Sequence, residues 1–178
     1  MLNIKIEDKI PEYIYKKLLP YIGSNASSFT VVETRNTFNI KENPSLGLLV
    51  NLEKTNNFKN INKFHETVNS ILINEGIYCS CVETDVQRKK RKWKTSSFLL
   101  GPFLMFLDFV YKRVIPKLPI IKKIYFSITR GHNRVISKTE ALGRLISCGF
   151  KINTIFEHKN LSSIFALRSE SPILIWTH

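Results

Sequence analysis

The segment from Leu46 to Glu83 constrains the fold of this chain more than any other part of the sequence. Residues 46–52 (LGLLVNL) are almost continuously apolar, which is typical of a strand buried on both faces of a parallel sheet. Residues 59–73 carry apolar side chains at helical spacing, with Gly76 just past the helix end, and residues 77–83 (IYCSCVE) indicate a second strand. Together they predict a right-handed βαβ unit.

Two further elements precede this unit. Residues 11–22 have apolar side chains at the i, i+4, i+7 and i+8 positions of a helix, with Pro11 in the first turn. Residues 29–34 (FTVVET) are rich in β-branched side chains and predict a strand. The polar residues 35–45 predict a loop that ends in an Asn-Pro turn.

The C-terminal third predicts a capped helix followed by a hairpin. In a capping box, Ser137 accepts the amide of Glu140, and Glu140 reaches back to the amide of Ser137. The helix ends at Gly149, and strands at 150–156 and 163–168 are joined by a short turn. We therefore predict an α/β fold: one mainly parallel, truncated Rossmann-like sheet with a C-terminal antiparallel hairpin, forming a single domain over residues 1–178.

The positive charge is concentrated in one quarter of the chain. Lys and Arg number 27 and Asp and Glu 14, a formal net charge of +13 and a pI near 9.8. Residues 88–134 contain 13 of the basic residues and one acidic residue, Asp108, so the rest of the chain is almost neutral. We interpret residues 86–135 as a basic, apolar, helical insertion in a near-neutral domain.

The insertion also holds the most apolar run, residues 98–107 (FLLGPFLMFL). It is too short to span a bilayer, which needs about 20 apolar residues. Apolar segments flanked by Lys and Arg are typical of interfacial elements that contact anionic lipid. The residues predicted to dock on an anionic membrane surface or on a partner domain are Arg88, Lys89, Lys90, Arg91, Lys92, Trp93, Lys94, Phe103, Phe106, Lys112 and Arg113.

Two other interpretations of the insertion remain open. It can form a lid over the sheet with solvated charges, or it can bind nucleic acid, with residues 88–94 on phosphates and Trp93 stacked on a base. No recognised nucleic-acid module follows the basic run, so we expect no specific nucleic acid. Residues 1–11 carry Glu7 and Asp8 and no apolar signal segment, which predicts a cytoplasmic protein, peripheral at the inner face of the membrane.

Residues 137–168 resemble the last helix and hairpin of class I S-adenosylmethionine-dependent methyltransferases, and residues 46–83 resemble the middle of that fold. The resemblance implies a shortened methyltransferase fold. That family cradles its cofactor in a glycine-rich loop, whereas no two glycines here are separated by a single residue. Glu33 could mimic the ribose-binding acid, although a Glu after a strand is commonplace. We expect no cofactor; the alternative is a methyltransferase with an atypical cofactor site.

A second set of motifs is similar to the N-terminal accessory region of Bacteroidetes sugar transferases. Those proteins begin exopolysaccharide or capsule synthesis by moving a sugar phosphate onto a polyprenyl phosphate. The motifs are Val50-Asn51-Leu52, Ile61-Asn-Lys-Phe64, Cys81-Val-Glu-Thr84, Lys117-Leu-Pro119, Lys123-Ile-Tyr-Phe126, Thr129-Arg-Gly131, Asn133-Arg-Val135, the run from Ser137 to Arg144, and Cys148-Gly-Phe150.

This second resemblance implies a biosynthetic pathway and a cellular location, but it implies no catalytic activity for this chain. The catalytic domain of those transferases has an adjacent Asp-Glu pair, and no Asp-Glu dipeptide occurs in this sequence. The resemblance therefore implies a non-catalytic accessory module whose partner is a phosphoglycosyltransferase domain.

The loop before the capped helix is a candidate site for a phosphate or another anion. Arg130, His132, Arg134 and Ser137 combine two guanidinium groups with the free amides of a helix N-terminus. The alternative is a basic loop that anchors the insertion through ordinary hydrogen bonds.

Cysteine and histidine suggest no further chemistry. Cys79 and Cys81 share one face of a strand, but no other pair completes the four ligands that zinc needs, so we predict no metal and buried thiols. Three cysteines are also too few for a disulfide scaffold. No histidine has a Ser or Cys partner at a readable spacing, so no catalytic residue is assigned.

Overall fold

The computed structural model describes residues 10–22, 28–41, 45–95, 103, 106–107, 110–114 and 133–169. The helices are α1 (Glu12–Ile22), α2 (Phe38–Lys41), α3 (Ile61–Ile71), α4 (Asp85–Thr95) and α5 (Lys138–Ser147). The strands are β1 (Phe29–Val32), β2 (Leu46–Lys54), β3 (Leu72–Val82), β4 (Phe150–His158) and β5 (Leu161–Arg168). A 3₁₀ turn covers Thr55–Asn57 and a π-helical turn covers Val110–Val114.

The five strands form one mixed sheet in the order β1-β2-β3-β5-β4. The pairs β1–β2 and β2–β3 are parallel, and β3–β5 and β4–β5 are antiparallel. Four strands therefore run in one direction and β5 runs in the other. This confirms the predicted α/β class and the C-terminal hairpin. The predicted order of capped helix, Gly-Phe, strand, turn and strand is also found, since Gly149 and Phe150 link α5 to β4.

Each face of the sheet is covered by its own apolar core. Helices α2, α3 and α5 pack on one face, and α1 packs on the other. Strand β2 supplies both cores, because Leu46 and Leu49 point to the first and Leu48 and Val50 to the second. Its first six residues are all buried, as its continuously apolar sequence predicts.

The junction between α3 and β3 differs from the prediction. No glycine cap separates the two, because α3 ends at Ile71 and β3 begins at Leu72. The left-handed backbone lies at Glu75, with φ of 60°. Gly76 is needed for space instead: a Cβ there would lie 2.8 Å from the carbonyl oxygen of Ile73. Gly149, with φ of 83°, does end α5 as predicted.

Only half of the predicted capping box forms. The Ser137 hydroxyl accepts the amide of Glu140 at 3.1 Å. The Glu140 carboxylate does not reach back to Ser137; it accepts two hydrogen bonds from the Arg144 guanidinium, at 2.9 and 3.2 Å. The reciprocal bond was therefore a wrong prediction, and the physical reason is that a charge-assisted pair outweighs a bond to a neutral amide.

The two ends of the insertion meet at the sheet. Thr84 and Ile136 form a parallel bridge, and the amide of Asp85 donates to the carbonyl of Ile136 at 3.0 Å. The excursion from residue 85 to residue 135 thus leaves and rejoins the fold at one point. Among the helices of the described ranges, none is long and apolar enough to cross a membrane.

Candidate functional site

The carboxyl edge of β2 and β3 is where an α/β sheet ordinarily binds ligands. Here the buried side chain of Asn56 fills that edge. Its Nδ2 donates to the carbonyls of Glu83 and Arg134, both at 2.8 Å, and its Oδ1 accepts the amide of Glu83 at 2.8 Å. The Asn56 carbonyl also accepts the amide of Arg134 at 2.9 Å. One residue therefore ties β3 to the end of the insertion.

Neighbouring polar groups at this edge are also bonded to one another. The Thr55 hydroxyl lies 2.9 Å from the Ser80 hydroxyl and donates to the carbonyl of Cys81 at 3.0 Å. The side chain of Asn51 exchanges two hydrogen bonds with the backbone of Thr34, at 2.9 and 3.2 Å. These buried groups form their hydrogen bonds with other groups of the protein, and so they hold neighbouring strands together.

The inner face of α4 is attached to the same edge by two arginines. Arg88 is only 4% exposed, and its Nη1 donates to the Asn133 Oδ1 at 2.5 Å. The Nε of Arg91 donates to the buried Glu83 carboxylate at 2.6 Å, and Lys54 lies 3.7 Å from that carboxylate. Arg88 and Arg91, which the sequence predicted to dock on a membrane surface or a partner domain, are thus bonded to the protein itself, Arg88 in a buried position and Arg91 with its side chain 44% exposed.

The outer face of α4 carries an open groove. It is lined by Lys89, Lys90, Trp93 and Lys94 of α4 and by Lys159 and Asn160 of the turn between β4 and β5, and it has a volume of about 690 Å³. We call it the lysine groove. The four α4 residues share one side of the helix because they stand at i, i+1, i+4 and i+5. The Trp93 side chain is 60% exposed.

The lysine groove is strongly positive. None of its four ammonium groups forms an ion pair with a carboxylate of the described segments. The nearby Glu157 is bound by Lys138 at 2.9 Å, and its pKa is held below the ordinary value mainly by Lys138 and to a smaller extent by Lys90. The described lining residues offer hydrogen-bond donors from ammonium groups, one amide and one indole, and this set is suited to holding an anion.

Large apolar side chains farther along the insertion face solvent. Among the residues described between 103 and 114, these are Phe103, Phe106, Leu107, Tyr111 and Val114. Lys112 and Arg113 lie in the π-helical turn among them. The exposed apolar side chains of this stretch are compatible with the interfacial element that the sequence predicts. The docking role itself stays a prediction.

The predicted phosphate loop is only partly within the described ranges. Arg130 and His132 lie outside them. Arg134 directs its Nη1 to the carbonyl of Lys59 at 3.5 Å, and the Ser137 hydroxyl serves as the cap of α5. These contacts match the alternative of an anchoring loop, and an anion site there stays a prediction. Glu33 is exposed just beyond β1.

The cysteines and the core histidine lie inside the fold. Cys79 and Cys81 are buried in the core beneath α1, and burial raises the pKa of Cys148 to about 11. His65 stands in an aromatic cluster, 5.6 Å between ring centroids from Tyr78, and burial lowers its pKa to about 3. Over the described part of the chain, no three His, Cys, Asp or Glu side chains are grouped so that they could hold a metal.

Sequence reasoning missed Lys159 and Asn160, which it read only as a turn. The left-handed backbone of Lys159, with φ of 52°, is a property of the folded turn, and no residue pattern in the sequence indicated it. Nothing in the sequence told which helix face this turn would meet.

No family model matches this chain, and no curated protein matches it. Similar solved structures include a possible S-adenosylmethionine-dependent methyltransferase from Listeria monocytogenes, at 15% identity and a TM-score of 0.46, covering 72% of this chain and 64% of that one. A possible histamine N-methyltransferase from Thermotoga maritima has 13% identity and a TM-score of 0.40, over 71% and 57%. A possible exported protein from Bordetella parapertussis has 10% identity and a TM-score of 0.46, over 76% and 43%.

The chain thus spans less than two thirds of the length of each of these structures. Because every TM-score is below 0.5, the fold is assigned from the strand order and the connections of this chain itself.

Proposed function

We propose that this chain is a non-catalytic accessory module of a sugar-phosphate transferase system in bacterial exopolysaccharide or capsule synthesis, acting at the cytoplasmic face of the membrane. The observation that carries the proposal is the division of charge on α4. Its arginines are used to hold the fold, while Lys89, Lys90 and Lys94 are turned outward together with Trp93.

The expected electrostatic contribution of the lysines to binding supports contact with an anionic membrane. Each basic residue near an anionic surface contributes roughly 1 kcal/mol, so the four lysines of the groove contribute about 4 kcal/mol. The exposed apolar residues between Phe103 and Val114 can also be buried at a lipid interface, whereas nucleic acid would not bury them. Charge combined with exposed apolar surface favours lipid over a phosphate backbone.

The non-catalytic part of the proposal is supported by the carboxyl edge. The buried polar groups there, from Thr34 to Asn56, bond to the protein itself. The pathway part is supported by the resemblance, and several of its motif residues hold the insertion in place: Asn133 bonds Arg88 and Asn57, and Arg134 bonds Asn56.

Flotation on vesicles tests the membrane role. The full chain is mixed with phosphatidylcholine vesicles with or without phosphatidylglycerol, and we expect flotation only with the anionic lipid. The triple variant Lys89→Glu, Lys90→Glu, Lys94→Glu is expected to lose binding by at least about tenfold, because three attractive charges become repulsive.

A second triple variant provides the matched control. Lys59→Glu, Lys63→Glu and Lys151→Glu change three exposed lysines elsewhere and give the same net charge. If both triple variants float equally well or equally badly, the outer face of α4 has no special role and the proposal fails.

Two titrations address the other candidates. Under the proposal, calorimetry with S-adenosylmethionine shows no binding; micromolar binding would replace the proposal with an active methyltransferase. Salt-dependent binding to random oligonucleotides in preference to anionic vesicles would replace it with a nucleic-acid-binding protein.

A further inference from the structure

We infer that the membrane-contact surface of this chain extends from α4 to the turn between β4 and β5, so that the carboxyl end of β4 faces the bilayer and its amino end points away from it. The partner is the headgroup layer of an anionic bilayer. The contact rests on the proposed function and deepens it, because it adds a second element of the fold to the surface and orients the sheet relative to the membrane.

The outer face of α4 has the side chains of an interfacial helix. One stripe along the helix consists of Val86, Lys89, Lys90 and Trp93, which stand at i, i+3, i+4 and i+7. Val86 is 56% exposed and Trp93 is 60% exposed, and the two lysines lie between them. Such apolar side chains enter the headgroup boundary while the lysines contact anionic headgroups. The stripe is therefore suited to lie along the surface of an anionic bilayer.

The turn between β4 and β5 lies beside this stripe. Lys159 and Asn160 of the turn line the lysine groove together with residues of α4. The pKa of Glu157, at the end of β4, is lowered mainly by Lys138 and to a smaller extent by Lys90, which agrees with α4 lying close to this end of the strand. A bilayer is a broad surface, so a bilayer that rests on the stripe also reaches the exposed Lys159.

The strand directions place the start of α4 and the turn at the same end of the sheet. Strands β3 and β4 run in one direction, because each of them pairs antiparallel with β5. Helix α4 begins at Asp85, shortly after β3 ends at Val82, and the turn follows the last residue of β4. Both elements therefore lie at the carboxyl ends of these two strands.

The other end of β4 lies too far from the turn to share its contact. Lys151 and Lys159 are separated by eight residues, which correspond to about 25 Å along an extended strand. The Debye length at physiological salt is only about 8 Å. A bilayer that touches Lys159 therefore attracts Lys151 weakly, although both lysines are exposed.

Neutralising one lysine at each end of β4 tests the orientation. Lys159→Gln should weaken binding to phosphatidylglycerol vesicles by about fivefold, because one attractive charge is lost from the contact surface. Lys151→Gln makes the same change of charge on the same strand and should leave vesicle binding unchanged. Urea unfolding should be the same for both variants, since both positions are exposed, so a difference in vesicle binding cannot come from folding.

A fluorescent label reports the contact independently of charge. Asn160→Cys introduces a thiol in the turn, and Asn74→Cys introduces one at an exposed position near the amino end of β3. The three native cysteines are buried, so the parent chain measures background labelling. With an environment-sensitive fluorophore, we expect phosphatidylglycerol vesicles to raise the emission at position 160 at least about twofold, and nitroxide-labelled lipid to quench it. The label at position 74 should show neither response.

Each outcome supports or overturns the orientation. Equal vesicle binding by the two Gln variants, or a label at position 160 that responds no more than the label at position 74, overturns the contact at the turn and leaves flotation as the test of the proposed function. Absence of flotation by the unmodified chain overturns both. A label at position 160 that responds to a random oligonucleotide and is not quenched by nitroxide-labelled lipid overturns the bilayer as the partner of this surface.

Discussion

The inner and outer faces of α4 have similar sequence composition and different bonding partners. On the inner face, Arg88 and Arg91 are bonded to Asn133 and to the buried carboxylate of Glu83. On the outer face, Lys89, Lys90 and Lys94 line an open groove with Trp93. Both faces belong to one run, residues 88–94 (RKKRKWK), in which every residue but the tryptophan is basic.

The contrast shows why a charge count cannot define a binding surface. Arginine suits the inner face because its planar, forked guanidinium makes directed bonds in a confined space, whereas lysine carries a compact and strongly hydrated charge. We therefore assign the two arginines to stability and the lysines to binding. The following substitutions test that division, beginning with the largest expected effect.

Among the substitutions near the inner face of α4, Asn56→Ala should cause the largest loss of stability. It removes three side-chain bonds at 2.8 Å and leaves the backbone groups of Glu83 and Arg134 without those partners. Because each buried, unsatisfied group costs about 1–3 kcal/mol, we expect the free energy of unfolding in urea to fall by about 3 kcal/mol or more.

The neighbouring Asn57→Ala is its control. Asn57 bonds the exposed amide of Asn133 and the side chain of Glu53, where water can replace the lost contacts. A fall of less than about 1 kcal/mol is expected. Equal losses at the two positions would mean that the carboxyl edge is not held by a buried network.

Arg88→Met and Lys89→Met compare the two faces at adjacent positions with the same change of charge. Arg88→Met should lower the free energy of unfolding by about 2 kcal/mol, because it removes a charge-assisted bond from a buried site. Lys89→Met, on the exposed face, should change it by less than about 0.5 kcal/mol.

Vesicle flotation completes this comparison. In that assay we expect the larger effect from the substitution at Lys89 and the smaller one from the substitution at Arg88. Lys89→Met should weaken binding to phosphatidylglycerol vesicles. Arg88→Met should leave binding unchanged under conditions where it stays folded. If Arg88→Met weakened vesicle binding as much as Lys89→Met did, the two faces would not have separate roles.

His65 should give the core a modest pH dependence. Its pKa falls from 6.5 to about 3 on folding, because burial disfavours the charged ring. As the pH drops below about 6.5, the unfolded chain takes up a proton that the folded chain does not, so stability falls between about 6.5 and 3. Between about pH 7 and about 5.5 the expected loss is about 1 kcal/mol.

His65→Leu provides the control for the pH titration. It removes the ionisable ring at similar volume and should flatten the fall in the free energy of unfolding over the same pH interval. A variant that retained the full slope would place the responsible group elsewhere, with carboxylates as the first candidates.

The sheet was predictable because its signals are local or periodic. The apolar run of β2, the helical spacing in α3 and the turn before β5 predicted the elements and their order. The helix-ending role of Gly149 was predictable too, because a left-handed residue after a helix favours glycine. Gly76 was misassigned because the carbonyl of Ile73 leaves no room for a Cβ at this position, and that close approach exists only in the folded chain.

The groove was predictable only in part, for a similar reason. The basic run and Trp93 were evident in the sequence, but the division between Arg88 and Lys89 depends on which side of α4 meets the sheet. Lys159 is 65 residues from Lys94 in the chain, and no pattern along the sequence relates a hairpin turn to a distant helix.

By itself, the sequence determined the α/β class, the C-terminal hairpin and the concentration of charge between residues 88 and 134, because periodicity, turn chemistry and composition are properties of neighbouring residues. Only the tertiary structure decided that Asn56 fills the carboxyl edge, that Arg88 and Arg91 bond to groups at that edge, and that Lys159 joins α4 in one groove. Those three outcomes depend on burial and on long-range contacts, which exist only once the strands have paired and the helix has docked.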